Sequence, residues 1–317
     1  MTDKNQQSLI YHVLNFISRQ PIQICRFIAR NLAGLVNVLR ITKTSEIIRL
    51  NLRIALPDLT ESEHERITAQ TIRNELTSYF EFFSIWGSSN EKNISRVHSI
   101  TGEQLVHDAL AEKKGLVLIV PHFGTWEVMN SVIAQHTNMT IMYKPVKNAD
   151  ADQFVRNARS RENATLVPTD ESGVRQIFKA LKQGGTTVIL PDHTPHHGGE
   201  PVPYFGIPLE SSNLSAKLIQ KTKARALFLY ALRNDNHGFD MFIEPMDESI
   251  YQGTANDGTL VIHQAIEKLI QRFPEHYHWS YKRFRAHPDL RKIYDIDRDT
   301  ALAQVNQVRN AAQDHSD

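Results

Sequence analysis

One short stretch constrains the fold more than any other: Gly115-Leu116-Val117-Leu118-Ile119-Val120, closed by Pro121 and followed by His122. An unbroken apolar run of this length reads as a strand buried on both faces, as in a sheet covered by helices on each side. Pro121 ends it, because proline has no N–H for the ladder. His122 then falls in a turn, and Gly124-Thr125 leads into a helical stretch through Gln135. The carboxyl end of such a strand is where an open α/β sheet places its chemistry.

A carboxylate, Glu127, follows His122 by five residues. On one continuous helix positions so spaced diverge by roughly 140° and do not touch. With His122 in the turn and Glu127 in the first helical turn, the chain can fold back and join them. Glu127 would then hold one imidazole nitrogen and favour the imidazolium, leaving the other nitrogen to take a proton from an alcohol. The plainer alternative is that His122 ends a strand and Glu127 complements the helix dipole.

The flanking texture supports layers. Residues up to about 90 carry helical periodicity, with Thr60-Glu61-Ser62-Glu63 as a capping box opening a helix to about Trp86. From residue 97 strands alternate with helices. Strands are expected at Val97–Ile100, Leu116–Val120, Thr140–Tyr143, Thr165–Val167, Thr186–Leu190, Ala226–Ala231 and Phe239–Ile243. Helices are expected near 102–112, 125–136, 150–161, 172–183, 211–223 and 257–271. The fold class is α/β, a central, mostly parallel mixed sheet flanked by helices, with an N-terminal helical region. Three parts are expected: a basic amphipathic helical region at 1–56, the α/β domain at 57–288, and a polar tail or surface helix at 289–317.

Charge separates the first part from the rest. Residues 1–56 carry a net +6, whereas the whole chain carries only +1. In Ile22–Leu39, Gln23, Arg26, Arg30 and Asn37 share one helical face, and Ile24, Phe27, Ile28, Leu32, Leu35, Val36 and Leu39 occupy most of the remainder. This pattern suits a helix lying in a lipid headgroup region better than one spanning a bilayer, and a core-packing helix is the alternative. No basic surface interleaved with aromatics points to nucleic acid. A single cysteine, Cys25, rules out a disulfide framework within the chain. No cleavable signal pattern is seen at the start.

Several familiar sites are missing: there is no Gly-x-Ser-x-Gly elbow, no P-loop and no Gly-x-Gly-x-x-Gly. Pro191-Asp192-His193-Thr194-Pro195-His196-His197 follows another expected strand and so reaches the same sheet edge as His122. Asp192, His193, His196 and His197 are suitable metal ligands, although a hydrogen-bonded loop explains them as well. Arg156 and Arg159 share a helix face, and Lys282, Arg283 and Arg285 form a second basic group. Each set reads either as an anion site or as a solvated surface.

Five motifs in order resemble those of the bacterial lipid A late acyltransferases, the lauroyl and myristoyl transferases of lipopolysaccharide assembly. They are Asn51-Leu52 with Leu56-Pro57-Asp58-Leu59; His122-Phe123-Gly124-Thr125-Trp126-Glu127, similar to that family's His-x4-Asp/Glu signature; and Tyr143-Lys144-Pro145, where the family usually has Tyr-Arg-Pro. The others are Pro191-Asp192-His193 with Val202-Pro203-Tyr204-Phe205-Gly206, and Pro274 to Trp279 with Lys282-Arg283-Phe284. The similarity runs from about residue 50 to 287.

The resemblance implies a glycerolphosphate acyltransferase-like fold at the cytoplasmic face of the inner membrane. It implies transfer of a fatty acyl chain from acyl carrier protein to a hydroxyl of an acylated, phosphorylated disaccharide, a lipid A precursor, with no cofactor or metal. His122 would be the general base and Glu127 its orienting partner. Helix N-terminal amides after Gly124, or Arg159, would meet the oxyanion. Arg156, Arg159, Lys144 and Arg283 would bind lipid phosphates or carboxylates, with Lys144 lacking the arginine fork. Asp192 would shape the site, and the basic N-terminal region would dock to anionic lipid. Two other readings stay open: a metal-dependent hydrolase using Asp192, His193, His196 and His197, and a non-catalytic lipid-binding protein.

Overall fold

The computed structural model describes residues 9–39, 42–195, 198–234 and 238–314. Helices α1 (Leu9–Ser18), α2 (Ile22–Leu39), α3 (Lys43–Ala55), α4 (Glu61–Trp86) and the short α5 (Asn90–Ile94) come first. The layered part runs β1 (Val97–Thr101), α6 (Glu103–Ala111), β2 (Leu116–Ile119), α7 (Glu127–Ile133), β3 (Thr140–Met142), α8 (Ala149–Arg161), β4 (Thr165–Val167), α9 (Glu171–Lys182) and β5 (Thr186–Ile189). It continues through β6 (Glu200–Tyr204), β7 (Ile207–Ser211), α10 (Leu214–Thr222), β8 (Arg225–Asn234), β9 (Gly238–Pro245), α11 (Ala255–Arg272) and α12 (Arg298–Asp314). The expected capping box opens α4: Glu63 N–H donates to Thr60 Oγ1 at 3.3 Å, and Thr60 N–H donates to Glu63 Oε2 at 2.8 Å.

The central sheet has the order β1-β9-β8-β2-β5, parallel throughout except for the β8–β9 pair. The apolar run of β2 lies between β5 and β8, and its side chains alternate between two buried clusters. Leu116 and Leu118 join Val128, Val132 and Leu229 on one face, while Val117 and Ile119 join Phe228 and Ile219 on the other. Burial on both faces is why the run carries no polar alternation. The small parallel pair β3–β4 continues from the β5 edge through a Met139–Thr186 bridge.

Sequence reasoning did not assign the β6–β7 hairpin. Pro201 and Pro203 argue against a strand in β6, yet both pair across the hairpin, opposite Glu210 and Pro208. The hairpin is a separate two-stranded sheet, where proline is tolerated at an unpaired edge. Near the C-terminus, α12 packs onto the rest of the molecule. α12 buries Ala301 and Val305, and Arg309 Nη2 donates to Ile54 O at 2.8 Å.

The N-terminal helices pack with the layered part. α3 places Ile48, Leu52 and Ile54 in the same cluster as Val117 and Phe228. α2 packs on α4 through its arginine-bearing side and leaves most of its apolar side outward, which is the arrangement of a headgroup-lying helix rather than of a core-packing one. Arg26 is buried with Ile22, Cys25, Ala29 and Ala33, while Phe27, Ile28, Leu32, Leu35, Val38 and Leu39 are exposed. The reason is Glu81 on α4, completely buried, which accepts from Arg26 Nε at 2.6 Å. A buried carboxylate requires a partner, so the arginine face turns inward and the apolar face outward. By length and composition α2 could also cross a membrane.

Candidate active site

β2 and β5 are adjacent and parallel, so the residues that follow them emerge at one edge of the sheet. There His122 meets Asp192. His122 N–H donates to Asp192 Oδ2 at 3.0 Å, and His122 Nδ1 lies 2.9 Å from Asp192 Oδ1. Tyr277 donates its hydroxyl to Oδ2 at 3.0 Å. Burial alone would raise the Asp192 carboxyl. The charge and hydrogen bonds of His122 outweigh it and hold Asp192 well below the usual carboxylate range. An ionised carboxylate only accepts, so whenever the ring is neutral its proton sits on Nδ1 and Nε2 presents the lone pair. The carboxylate is sealed while the imidazole retains 19% side-chain exposure, which leaves the ring open to a substrate.

The ring is held on three sides. Trp126 meets it edge-on at 5.0 Å, and His193 stacks on it at 3.7 Å with planes 1° apart. Tyr281 stacks on the far side of His193, also at 3.7 Å. Burial, then the neighbouring His122 charge, lowers His193 to about 4, so it packs as a neutral ring near neutrality. Behind the turn, His278 N–H donates to His122 O at 3.1 Å and Gly124 N–H to His276 O at 2.8 Å. Gly124 has φ +55°, and a Cβ there would stand 2.2 Å from Ala231 O, so this crossing over β8 needs glycine.

Glu127 does not take the place expected for it beside His122. Its carboxylate accepts from Trp86 Nε1 and from Arg159 Nη2, each at 2.8 Å. Arg159 also donates to Glu162 at 3.0 Å. The α7 turn directs Glu127 toward α4 and α8, and Nδ1 of His122 is already occupied by Asp192. One guanidinium thus serves two buried carboxylates. Burial and the nearby Glu127 charge outweigh Arg159 and push Glu162 up to about 7. The two carboxylates overcome burial and raise Arg159 further above its ordinary value.

The other expected residues divide. Arg283 is buried and Arg159 largely so, and both guanidiniums are engaged by protein groups. Arg283 donates to Ser211 Oγ at 2.6 Å, Glu210 O at 3.0 Å and Thr194 Oγ1 at 3.3 Å, bracing the loop after Asp192. Arg156 pairs with Asp152 at 2.6 Å, covers the Tyr143 ring and remains partly exposed. Lys144, next to Tyr143 in the chain, is exposed. Gly124 N–H is committed to His276, so it is not free for an oxyanion. The Asp192–His193 part of the metal reading forms a group with His122 whose ligand atoms lie within 4.8 Å. Asp192 already accepts the three hydrogen bonds above, so this group is a hydrogen-bonded cluster as it stands. His196 and His197 lie outside the described residues.

Sequence reasoning missed a second buried network. Glu81 accepts from Arg26, from Arg233 Nε at 2.8 Å and from Thr125 Oγ1 at 2.6 Å. It thereby links α2, α4, β8 and the turn carrying His122. Charged residues within apolar helical and strand patterns at Glu81 and Arg233 were the available signal. Next to Glu127, a narrow cavity of about 40 Å³ runs among Leu118, Val120, Trp126, Ile141, Leu190 and Leu229.

A family model described as bacterial lipid A biosynthesis acyltransferase matches residues 2–286. The chain is similar to a lipid A biosynthesis acyltransferase of Haemophilus influenzae, 27% identical over 288 residues, covering 87% of this chain and 89% of the relative. It is also similar to the lipid A biosynthesis lauroyltransferase of Escherichia coli, 23% identical over 252 residues, covering 78% and 81%. The Escherichia coli palmitoleoyltransferase of the same biosynthesis is 23% identical over 249 residues, covering 78% and 80%.

Proposed function

Because the chain belongs to the bacterial lipid A biosynthesis acyltransferase family, we propose that it moves a fatty acyl chain from an acyl carrier protein thioester to a hydroxyl of a lipid A precursor. The observation that carries the mechanism is the imidazole of His122, with Nδ1 bound to Asp192 and the ring open at the sheet edge. Nε2 takes the proton of the acceptor hydroxyl as its oxygen attacks the thioester carbonyl. The C–S bond then breaks, and the imidazolium returns the proton to the leaving thiolate. Asp192 fixes the tautomer and stabilises the imidazolium. The amides of Thr125 and Trp126, at the entry of α7, are the donors nearest in sequence for the oxyanion.

Glu127 keeps a catalytic part in this reading through Arg159 and Trp86 rather than through His122. It fixes one wall of the small cavity beside it, which Leu118, Val120 and Trp126 line together with Asn130 and Arg159. Lys144 and Arg156 are assigned to the acceptor's phosphates. The exposed face of α2 rests in the headgroup layer of the inner membrane at its cytoplasmic side, with the surrounding basic residues drawn to anionic lipid.

The test is transfer from acyl carrier protein to a lipid A precursor in detergent, followed by mass spectrometry. Added acyl mass with the wild type, and none with folded His122→Ala, supports the reading. Full transfer by His122→Ala would sink the mechanism. No transfer by folded wild type would sink this donor and acceptor pair and favour a lipid-binding role.

A further inference from the structure

We propose that Glu103, His107 and His136 form a site for a borderline divalent transition cation such as Zn²⁺, on the side of the molecule opposite the His122 edge. Glu103 and His107 stand four apart on α6 and share a face. His136 reaches them from the segment after α7, and the three ligand atoms lie within 4.8 Å of one another.

The geometry of one pair points to a shared cation. His136 Nε2 lies 3.2 Å from Glu103 Oε1, yet it is buried and makes no hydrogen bond. The two atoms are close enough, but the ring nitrogen does not aim at the oxygen. A cation bound by both would sit off the line between them. With bonds near 2.0–2.1 Å in tetrahedral geometry, ligand atoms stand about 3.3 Å apart. The ring of His107 meets that of His136 edge-on, with centroids 4.7 Å apart, and its exposed side chain can turn the remaining distance. Two imidazoles and one carboxylate form a donor set suited to Zn²⁺, with a fourth position left to water.

The site's place gives its consequence. His136 precedes Thr137, whose hydroxyl lies 3.0 Å from that of Thr186, the first residue of β5. β5 and β2 start level and run to Asp192 and His122 at the other edge, a strand length of about 13 Å away. A cation there would tie α6 to the end of α7 and close the segment that carries β2 and His122. It would stabilise the fold without touching the reacting atoms. The inference does not depend on the acyl-transfer chemistry proposed above.

The full chain, stripped with EDTA and titrated with ZnCl₂, should bind one Zn²⁺ by calorimetry, and its Tm should rise. Loss of a ligand should weaken binding at least about tenfold, as loss of supporting partners alone does elsewhere. His107→Ala and Glu103→Gln alter partly exposed residues, so both should fold, lose the Tm rise and leave basal acyl transfer unchanged. Asp192→Asn, which disables the other His/Asp cluster, should bind Zn²⁺ like the wild type. Equal affinity in His107→Ala, loss of binding in Asp192→Asn, or no saturable binding by the wild type would each overturn the proposal.

Discussion

Nδ1 of His122 lies 2.9 Å from Oδ1 of Asp192, although 70 residues separate them in the chain. Asp192 also receives the His122 backbone N–H, so it sets both the tautomer and the position of the ring. Asp192→Asn keeps the shape but presents an amide that satisfies the wrong tautomer. The kcat for acyl transfer is expected to fall by roughly 10²–10⁴ with little change in KM. An unchanged kcat, with folding verified by circular dichroism, would remove Asp192 from the mechanism.

Glu127 and Arg159 form a unit with Glu162. Breaking a buried pair from one side costs about 3–5 kcal/mol. Glu127→Gln and Arg159→Met are therefore each expected to lower both stability and activity, and the double variant to lose much less than their sum. A Glu127→Gln protein that unfolds like the wild type but has lost activity would instead return Glu127 to direct action near the reacting groups.

Glu81 anchors two arginines, Arg26 and Arg233. Glu81→Gln leaves both guanidiniums buried without a counter-charge, whereas Arg26→Met leaves Arg233 still paired. The first should cost about 3–5 kcal/mol in urea unfolding and the second distinctly less. The reverse order would show that the carboxylate, rather than the arginines, is the expensive group to bury.

The outer face of α2 offers a lipid surface, with Phe27 69% and Val38 79% exposed. Changing both to Asp should leave stability within about 0.5 kcal/mol, as for other surface substitutions. Sedimentation with vesicles containing anionic lipid should fall by at least about tenfold. Undiminished sedimentation would place membrane contact elsewhere.

Burial raises Glu75 from 4.5 to about 7, with hydrogen bonds from Ser280 opposing the shift. The folded state therefore holds this proton more tightly than the unfolded state. Stability is retained below about pH 4.5 and declines as pH rises toward about 7, by up to ~3 kcal/mol from this group. Glu75→Gln should flatten that part of the curve and be the more stable protein at pH 8. Glu162, with the same sign, supplies a remaining slope. Parallel stability curves for the two proteins between pH 4.5 and 7 would refute the assignment.

Much of the architecture was written locally. The run at Leu116–Ile119, the capping box at Thr60 and the glycine at 124 act through neighbours in the chain, and the structure has each in its expected element. His122 was recognisable for the same reason, since a strand end at a sheet edge is a local event. The hairpin at 200–211 was hidden because two prolines oppose a strand, and pairing across the hairpin overrides that preference. For α2, amphipathicity shows which residues share a side, and the buried Glu81 decides that the Arg26 side turns inward.

Residue order alone established the α/β layers, the two chemically rich loops after β2 and β5, and the apolar character of α2. Partner choice lay beyond it. Glu127 is nearer to His122 in sequence, yet Asp192 holds the ring, because parallel strands carry distant loops to one edge while the α7 turn sends Glu127 toward Arg159. Buried charges are satisfied by whatever lies within a few ångströms, and that distance is set by the folding of strands and helices against one another rather than by separation along the chain.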